Sequence, residues 1–208
     1  MYRGKRSAQR WLAIKLKTLL PNIAIIEEGE IEHIAVLPVG SQHITNDLAI
    51  GLKTDLEIAE KVKQKFARLS GEPVKQAVVD GQEFDVDLIN MIVEARVEEL
   101  LELVERELAK VKKAKKLPGG VVFVGGGARL PGLDKFAKDK LELPTKIGRI
   151  KGVAGLIDAV DSPEFVTATG VMMLDMLLGG AAPDSKQAHA RGALRVGLFT
   201  KIKRMIKS

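Results

Sequence analysis

The chain has 208 residues, 46% of them hydrophobic, which supports one large domain or two small ones and argues against global disorder. It has no cysteine, which excludes disulfides, zinc–thiolate sites and cysteine nucleophiles and fits a reducing compartment. Lys+Arg number 33 against 27 Asp+Glu, and aromatics are only 4%, so no base-stacking nucleic-acid surface is expected and the cationic surplus at the two ends needs another account.

Residues 1–20, MYRGKRSAQRWLAIKLKTLL, form a basic segment ended by Pro21, for which a short amphipathic helix is expected. Lys15 and Lys17 interrupt its apolar run, making it a poor signal peptide. Ile23–Ile26 and Ile31–Leu37 are apolar and β-branched around Glu27-Glu-Gly-Glu30, the pattern of a hairpin with glycine in the left-handed position. A helix is predicted over Ile44–Leu52. Thr54-Asp-Leu-Glu57 then has capping-box spacing, and a second helix runs on through Leu56, Ala59, Val62, Phe66 and Leu69 to a stop at Ser70-Gly71. Residues 72–86 read as irregular, with a short strand at Val78-Val79.

A long helix is predicted from Asp87 to Lys116, with Leu88, Ile92, Leu100, Leu101, Val104, Leu108 and Val111 as its apolar face. Its acids come early and its lysines late, which suits the helix macrodipole, and the lysine run reads as a solvated helix end. Next comes VVFVGGGARLPGL, Val121 to Leu133: a buried strand, a glycine turn and a helix starting near Pro131. Without a following Gly-Lys-Ser/Thr the turn is not a P-loop, and its spacing does not fit G-x-G-x-x-G. A tight turn and a ligand approaching the backbone both remain open there.

Another strand is predicted at Thr145–Ile147, and a last globular helix from Ser162-Pro163-Glu164 to about Leu178. The order of elements gives an α/β fold with a mixed sheet. Val171–Leu178 is too short to span a bilayer and carries Asp175, so a cytoplasmic protein is expected. His33, His43 and His189 are scattered without metal-ligand spacing, and no nucleophile–base pair is evident, so no metal and no catalytic residue are assigned.

Residues 179–191 are small, polar and poor in large apolar side chains, and read as a flexible linker. The segment 192–208 follows. On a helical projection Leu194, Leu198, Phe199, Ile202, Met205 and Ile206 share one arc, opposite Lys201, Lys203, Arg204 and Lys207. No acid follows Asp184. Such a helix suits an anionic membrane surface; docking on the protein's own core or in a partner's groove are the alternatives.

Several blocks together resemble the FtsA family of bacterial cell-division proteins: Ile23–Glu30, Pro38-Val-Gly-Ser-Gln-His-Ile-Thr-Asn-Asp-Leu-Ala-Ile-Gly-Leu52, Val122–Leu133, Ile147-Gly-Arg149, Gly152-Val-Ala-Gly-Leu156 and Ser162–Gly170. The resemblance covers about Asn22 to Leu178. It implies the second lobe of an actin-like (ribonuclease H-like) fold with a mixed sheet, over 22–178, with an inserted FtsZ-binding subdomain over about 54–117. It also repeats the family's ending, a tethered C-terminal amphipathic helix. By carry-over, Glu60 and Lys63 would touch a nucleoside, Gly125, Gly126 and Gly127 would form the adenine-side turn, and Arg96 with Glu99 would contact the FtsZ tail. The implied cofactor is ATP with Mg. The implied partners are FtsZ, anionic inner-leaflet lipid and further copies in a filament, at the cytoplasmic face of the cell membrane at the division site.

The resemblance also sets an expectation about extent. The family's first lobe and its D-x-G-G-G-T-T loop before Asn22 have no counterpart here, where Leu16-Lys-Thr-Leu-Leu-Pro21 stands. Residues 1–21 are therefore an unmatched basic segment, read as a truncated or frame-shifted stretch, and poor ATP binding without hydrolysis is expected. The rival functions are an actin-like ATPase acting as an assembly switch, a pilus-assembly actin homologue, and a marginally folded gene fragment.

Overall fold

A computed structural model of the chain describes residues 10–16, 20–70, 76–112, 117–149 and 165–178. A five-stranded sheet organises them, built from β1 (Arg10–Lys15), β2 (Asn22–Glu27), β3 (Glu30–Val36), β6 (Val121–Val124) and β7 (Thr145–Ile147) in the order β3-β2-β1-β6-β7. β1–β2 and β2–β3 are antiparallel, whereas β1–β6 and β6–β7 are parallel, so the sheet is mixed as the sequence predicts.

The register makes one face a continuous apolar surface. Ala35, Ile23, Ile14, Phe123 and Ile147 lie side by side across the five strands, and His33, Ile25, Leu12, Val121 and Thr145 form the adjacent row. Leu12, Ile14, Ile23, Ile25 and Phe123 are fully buried, each contributing roughly 1.5–3 kcal/mol relative to exposure. Over this face lie α1 (Ser41–Gly51), α3 (Val86–Lys110) and α4 (Leu133–Leu141), joined by α2 (Leu56–Phe66). The helices meet the sheet through Ile44, Leu48, Val97, Leu100, Leu101, Val104, Leu133 and Ala137, all part of one buried cluster. The last described element, α5, runs Val166–Leu178.

β1 corrects the helix expected over residues 1–20. Leu12 and Ile14 alternate with Trp11 and Ala13, and the strand fills the sheet centre between β2 and β6. The gap between two partner strands rewards an extended chain here, and tertiary pairing overrides local charge pattern. The hairpin turn is as expected, with Glu28 and Gly29 both at positive φ.

The helix ends depart from their sequence signals. α2 is capped at Asp55, not Thr54, and no side chain there bonds a helix-end amide. It stops at Phe66 because Ala67 turns extended (φ −62°, ψ 129°), and Leu69 donates to the Pro131 carbonyl at 2.8 Å. That long-range bond draws the chain away from the helix axis. Within 72–86 a second, small sheet appears, β4 (Ala77–Val79) and β5 (Gln82–Phe84), closed by Asp80 and Gly81 at positive φ. The expected strand at Val78-Val79 is part of β4; its partner β5 was not expected, although Asp-Gly between two such runs is a strong hairpin signal.

α3 begins one residue before its predicted start, where the Asp85 carboxylate accepts from the Asp87 and Leu88 amides at 2.9 and 3.3 Å, and it ends at Lys110, short of the predicted Lys116, with Val111 as its C-cap. Its buried stripe includes Ile89, Val93 and Val97, which the sequence reading passed over, while Leu88 and Ile92 lie at its margin. The helix expected near Pro131 is a 3-10 turn over Gly126–Arg129 followed by α4 from Leu133. The cap expected at Ser162, residues 113–116, the expected linker 179–191 and the expected amphipathic helix 192–208 all fall outside the described residues. No described helix is long and apolar enough to cross a membrane.

Candidate cleft at the ends of the central strands

β1 and β6 run parallel side by side, but the chain leaves them in opposite directions, β1 toward β2 and β6 toward β7. A crevice opens beyond the carboxyl ends of such a strand pair, and ligands of open α/β sheets settle there. Leu16 follows β1 and Gly125 follows β6, and both stand at this switch point. A small cleft open to solvent runs from Leu16 and Pro21 past Gly40 and Ser41 to Gly127 and Leu130. Arg96 and Val97 of α3 close its side.

The three glycines do different things. Gly125 has φ 90° and ψ 172°, a region nearly reserved for glycine. An added Cβ there would lie 2.4 Å from the Leu16 carbonyl oxygen, and one at Gly127 would lie 2.9 Å from the Leu16 Cβ. Both glycines let the turn close against β1. The Leu16 carbonyl accepts from the Gly127 amide at 3.4 Å, and the Leu16 amide donates to Val124 at 2.8 Å. Gly126 differs: a Cβ there meets nothing within 4 Å, and the residue is exposed. Gly126 thus faces solvent, whereas Gly127 lines the cleft.

Glu60 and Lys63 lie one helical turn apart on α2 and meet directly, Nζ to Oε2 at 2.5 Å. Lys63 also donates to Thr45 Oγ1 at 2.7 Å and to the Ser41 carbonyl at 3.2 Å. An ammonium has three donors, so its bonding capacity is filled within the protein. Thr45 Oγ1 donates to Glu60 Oε2 at 2.5 Å, and Gln64 donates to Glu60 Oε1 at 2.8 Å. Burial raises the Glu60 pKa, but bonds from Lys63, Thr45 and Gln64 and the Lys63 charge outweigh it and hold the carboxyl below its ordinary value. Lys63 therefore acts here by fixing Glu60, whose side chain is 37% exposed.

Ser41 links this network to the cleft, since its carbonyl holds Lys63 and the residue lines the cavity with Gly127. Thr45, only 1% exposed, is the member that sequence reading missed. Its signal was a hydroxyl one helical turn after Ser41, on the buried face of α1. At the first turn of α1 the Gly40 amide donates to His43 Nδ1 at 3.1 Å, which gives that histidine a structural role.

Arg96 and Glu99 also meet, as an i,i+3 ion pair on α3. The stronger partner of Arg96 is Asp47 of α1, whose Oδ2 accepts from Nε at 2.6 Å and raises the guanidinium pKa. Sequence reading missed Asp47 because the pair spans 49 positions. Arg96 thus ties α1 to α3 and faces the same cleft as Gly127, while Glu99 lies nearer solvent. Leu194, Leu198, Phe199, Lys201, Ile202, Lys203, Arg204, Met205, Ile206 and Lys207 lie outside the described residues. Among the described residues no cluster of acidic or histidine side chains is arranged to hold a metal ion.

Comparison with known proteins follows the same outline. The model of the family "Cell division protein FtsA" matches residues 21–170. The FtsA of Agrobacterium fabrum is 36% identical over 163 residues, 73% of this chain and 37% of its own length. That of Pseudomonas aeruginosa is 32% identical over 161 residues, 73% of this chain and 39% of its own length. The chain thus spans well under half the length of these relatives.

Among solved structures, MreB5 of Spiroplasma citri bound to AMPPNP superposes with a TM-score of 0.62 at 19% identity, over 83% of this chain and 54% of that one. The PilM–PilN type IV pilus biogenesis complex gives 0.61 at 17% identity, over 80% and 46%. At those identities the likeness shows the actin-like fold alone. The mixed sheet, the glycine turn at its switch point and the match over residues 21–170 agree: the chain belongs to the FtsA family of cell-division proteins.

Proposed function

We propose that the chain is a tethering protein that grips the FtsZ filament and holds it at the cytoplasmic face of the cell membrane. The observation that carries this reading is the family match over residues 21–170, which includes Arg96 and Glu99. In the proposal Glu99 and the outer side of Arg96 receive the FtsZ tail, and the segment 192–208 lies on anionic lipid as an amphipathic helix. One short helix binds a bilayer weakly, so firm attachment comes from many copies along a polymer.

Sedimentation with vesicles containing anionic lipid tests the membrane half. Phe199→Glu places a charge on the apolar arc and abolishes pelleting while the far-ultraviolet circular dichroism stays unchanged; undiminished pelleting refutes the anchor.

The second reading is an ATP-binding assembly switch, favoured by the cleft at the switch point and by neighbours solved with AMPPNP or ADP. The residues fit an adenosine in part. Gly126 leaves open space beside the backbone, and the Glu60 side chain is partly exposed. Lys63, however, is occupied within the protein. We therefore favour weak nucleotide binding by this 208-residue chain. Micromolar ATP affinity by calorimetry would establish the switch reading instead.

A further inference from the structure

β3 closes one side of the sheet, and among the described residues no strand lies beyond it. Its backbone groups alternate in direction. Leu37 donates to the Pro21 carbonyl at 2.9 Å just past the β2–β3 ladder, so Ala35–Ile23 and His33–Ile25 are the hydrogen-bonded pairs. Ile34 and Val36 therefore turn their N–H and C=O groups away from β2, toward the open edge. Among the described residues nothing receives them. Beside Ala24 and Asn22 of β2, their side chains stay 59 and 55% exposed.

Such an edge is a template for a further strand, and soluble proteins ordinarily blunt it with lysine, proline or a bulge. β3 has no lysine and no proline. Its bulge lies between Ile31 and His33, where Ile25 pairs with His33 but Ile26 pairs with Ile31. The stretch Ile34–Val36 stays regular.

The strand that fits this edge best is β3 itself. Two-fold symmetry allows three antiparallel registers that put Ile34 or Val36 in hydrogen-bonded pairs. Centred on Ile34, the register sets Val36 against the partner's Glu32, inside the bulge. Centred on Val36, it sets Ile34 against the partner's Pro38, which has no N–H to give. Centred on Ala35, it joins Ile34 to the partner's Val36 and Val36 to the partner's Ile34, and every outward group of both residues is used. The four bonds of this ladder involve no charged residue, so no like charges meet. Ile34 and Val36 then cover each other on the exposed face, and the small Ala35 lies on the axis.

We propose that two copies of this chain associate by antiparallel pairing of their β3 edges about Ala35, joining two five-stranded sheets into one. The inference does not depend on the tethering reading. A neutral, self-complementary ladder selects a second copy over a charged segment. The contact is short, below roughly 1,000 Å² in total, so the dimer dissociates with a constant on the order of 100 µM.

Sedimentation equilibrium and cysteine cross-linking of the full chain test this. Sedimentation should show monomer and dimer in reversible exchange. Val36→Pro removes an outward N–H and no bond to β2, so the fold is kept. Losing two of the four bonds should weaken association about thirtyfold. Ile34→Lys, which adds the residue that natural edges use as protection, should weaken it as well.

The chain has no cysteine, so Ala35→Cys carries a single thiol. In the proposed register the two Cα atoms at position 35 lie about 4.5 Å apart, within the range a disulfide spans. Oxidation by diamide should convert Ala35→Cys to a covalent dimer, and adding Val36→Pro should prevent it. Val78→Cys, on exposed β4, should stay monomeric under the same treatment.

A chain that remains monomeric up to millimolar concentration, with Ala35→Cys uncross-linked, overturns the proposal. Association that survives both Val36→Pro and Ile34→Lys overturns it too, because another surface then carries the contact. Cross-linking of Val78→Cys as fast as that of Ala35→Cys would refute the register.

Discussion

Replacing Gly125 by alanine should unfold the protein at markedly lower temperature, whereas the same change at Gly126 should pass almost unnoticed. At Gly125 the backbone sits at φ 90° and ψ 172°, where an L-residue costs about 2 kcal/mol. The new Cβ would also stand 2.4 Å from the Leu16 carbonyl oxygen, a backbone atom that moves only if β1 moves. Retreat of Leu16 weakens its 2.8 Å bond to Val124 or the 3.4 Å bond from Gly127, about 1 kcal/mol more. The total of about 3 kcal/mol corresponds to a fall in Tm of about 9 °C for a domain of this size. Gly126→Ala meets nothing within 4 Å and should stay within about 0.5 kcal/mol. Thermal unfolding followed by circular dichroism at 222 nm compares the two. Equal shifts in both variants would refute the division of labour within the turn.

Glu60→Gln tests whether the network below the cleft is ionic. The folded Glu60 pKa lies below its ordinary 4.5, so its charge stabilises the fold above that value and this contribution is lost as pH falls through the folded pKa. The variant should have a lower urea midpoint than the unmodified chain at pH 7, and the gap should narrow below pH 4.5; a gap independent of pH would remove the ionic account. At the other assigned pair, Arg96→Ala leaves the Asp47 carboxylate without its 2.6 Å partner and should cost about 1–2 kcal/mol of stability. Glu99→Ala, at a more exposed position, should cost no more than about 0.5 kcal/mol. Fluorescence anisotropy with an FtsZ tail peptide should show weakened binding for Glu99→Ala, and unchanged affinity would exclude Glu99 from that surface.

Local pattern alone was enough for the β2–β3 hairpin, the long α3 and the strand leading into the glycine turn. In each, the deciding contacts are near in sequence: Glu28 and Gly29 close the hairpin, and the apolar stripe of α3 repeats along one helix. The family was equally legible, because ordered motifs need no knowledge of packing. The family resemblance singled out Glu60 with Lys63 and Arg96 with Glu99, and their i,i+3 spacing on one helix lets each pair meet.

Tertiary structure decided what those groups touch. Thr45 completes the bonding of Lys63 and Asp47 anchors Arg96 across 49 positions, and no local rule selects such partners. β1 looked helical by its charges, yet the strands on both sides of it fixed it as extended. The glycine triplet shows the division most clearly. Sequence marked a special turn, but only the position of Leu16 separates Gly125 and Gly127, which close against it, from Gly126, which faces open space. A side chain's partner depends on how the whole chain fills space, and that is settled by packing rather than by neighbours in sequence.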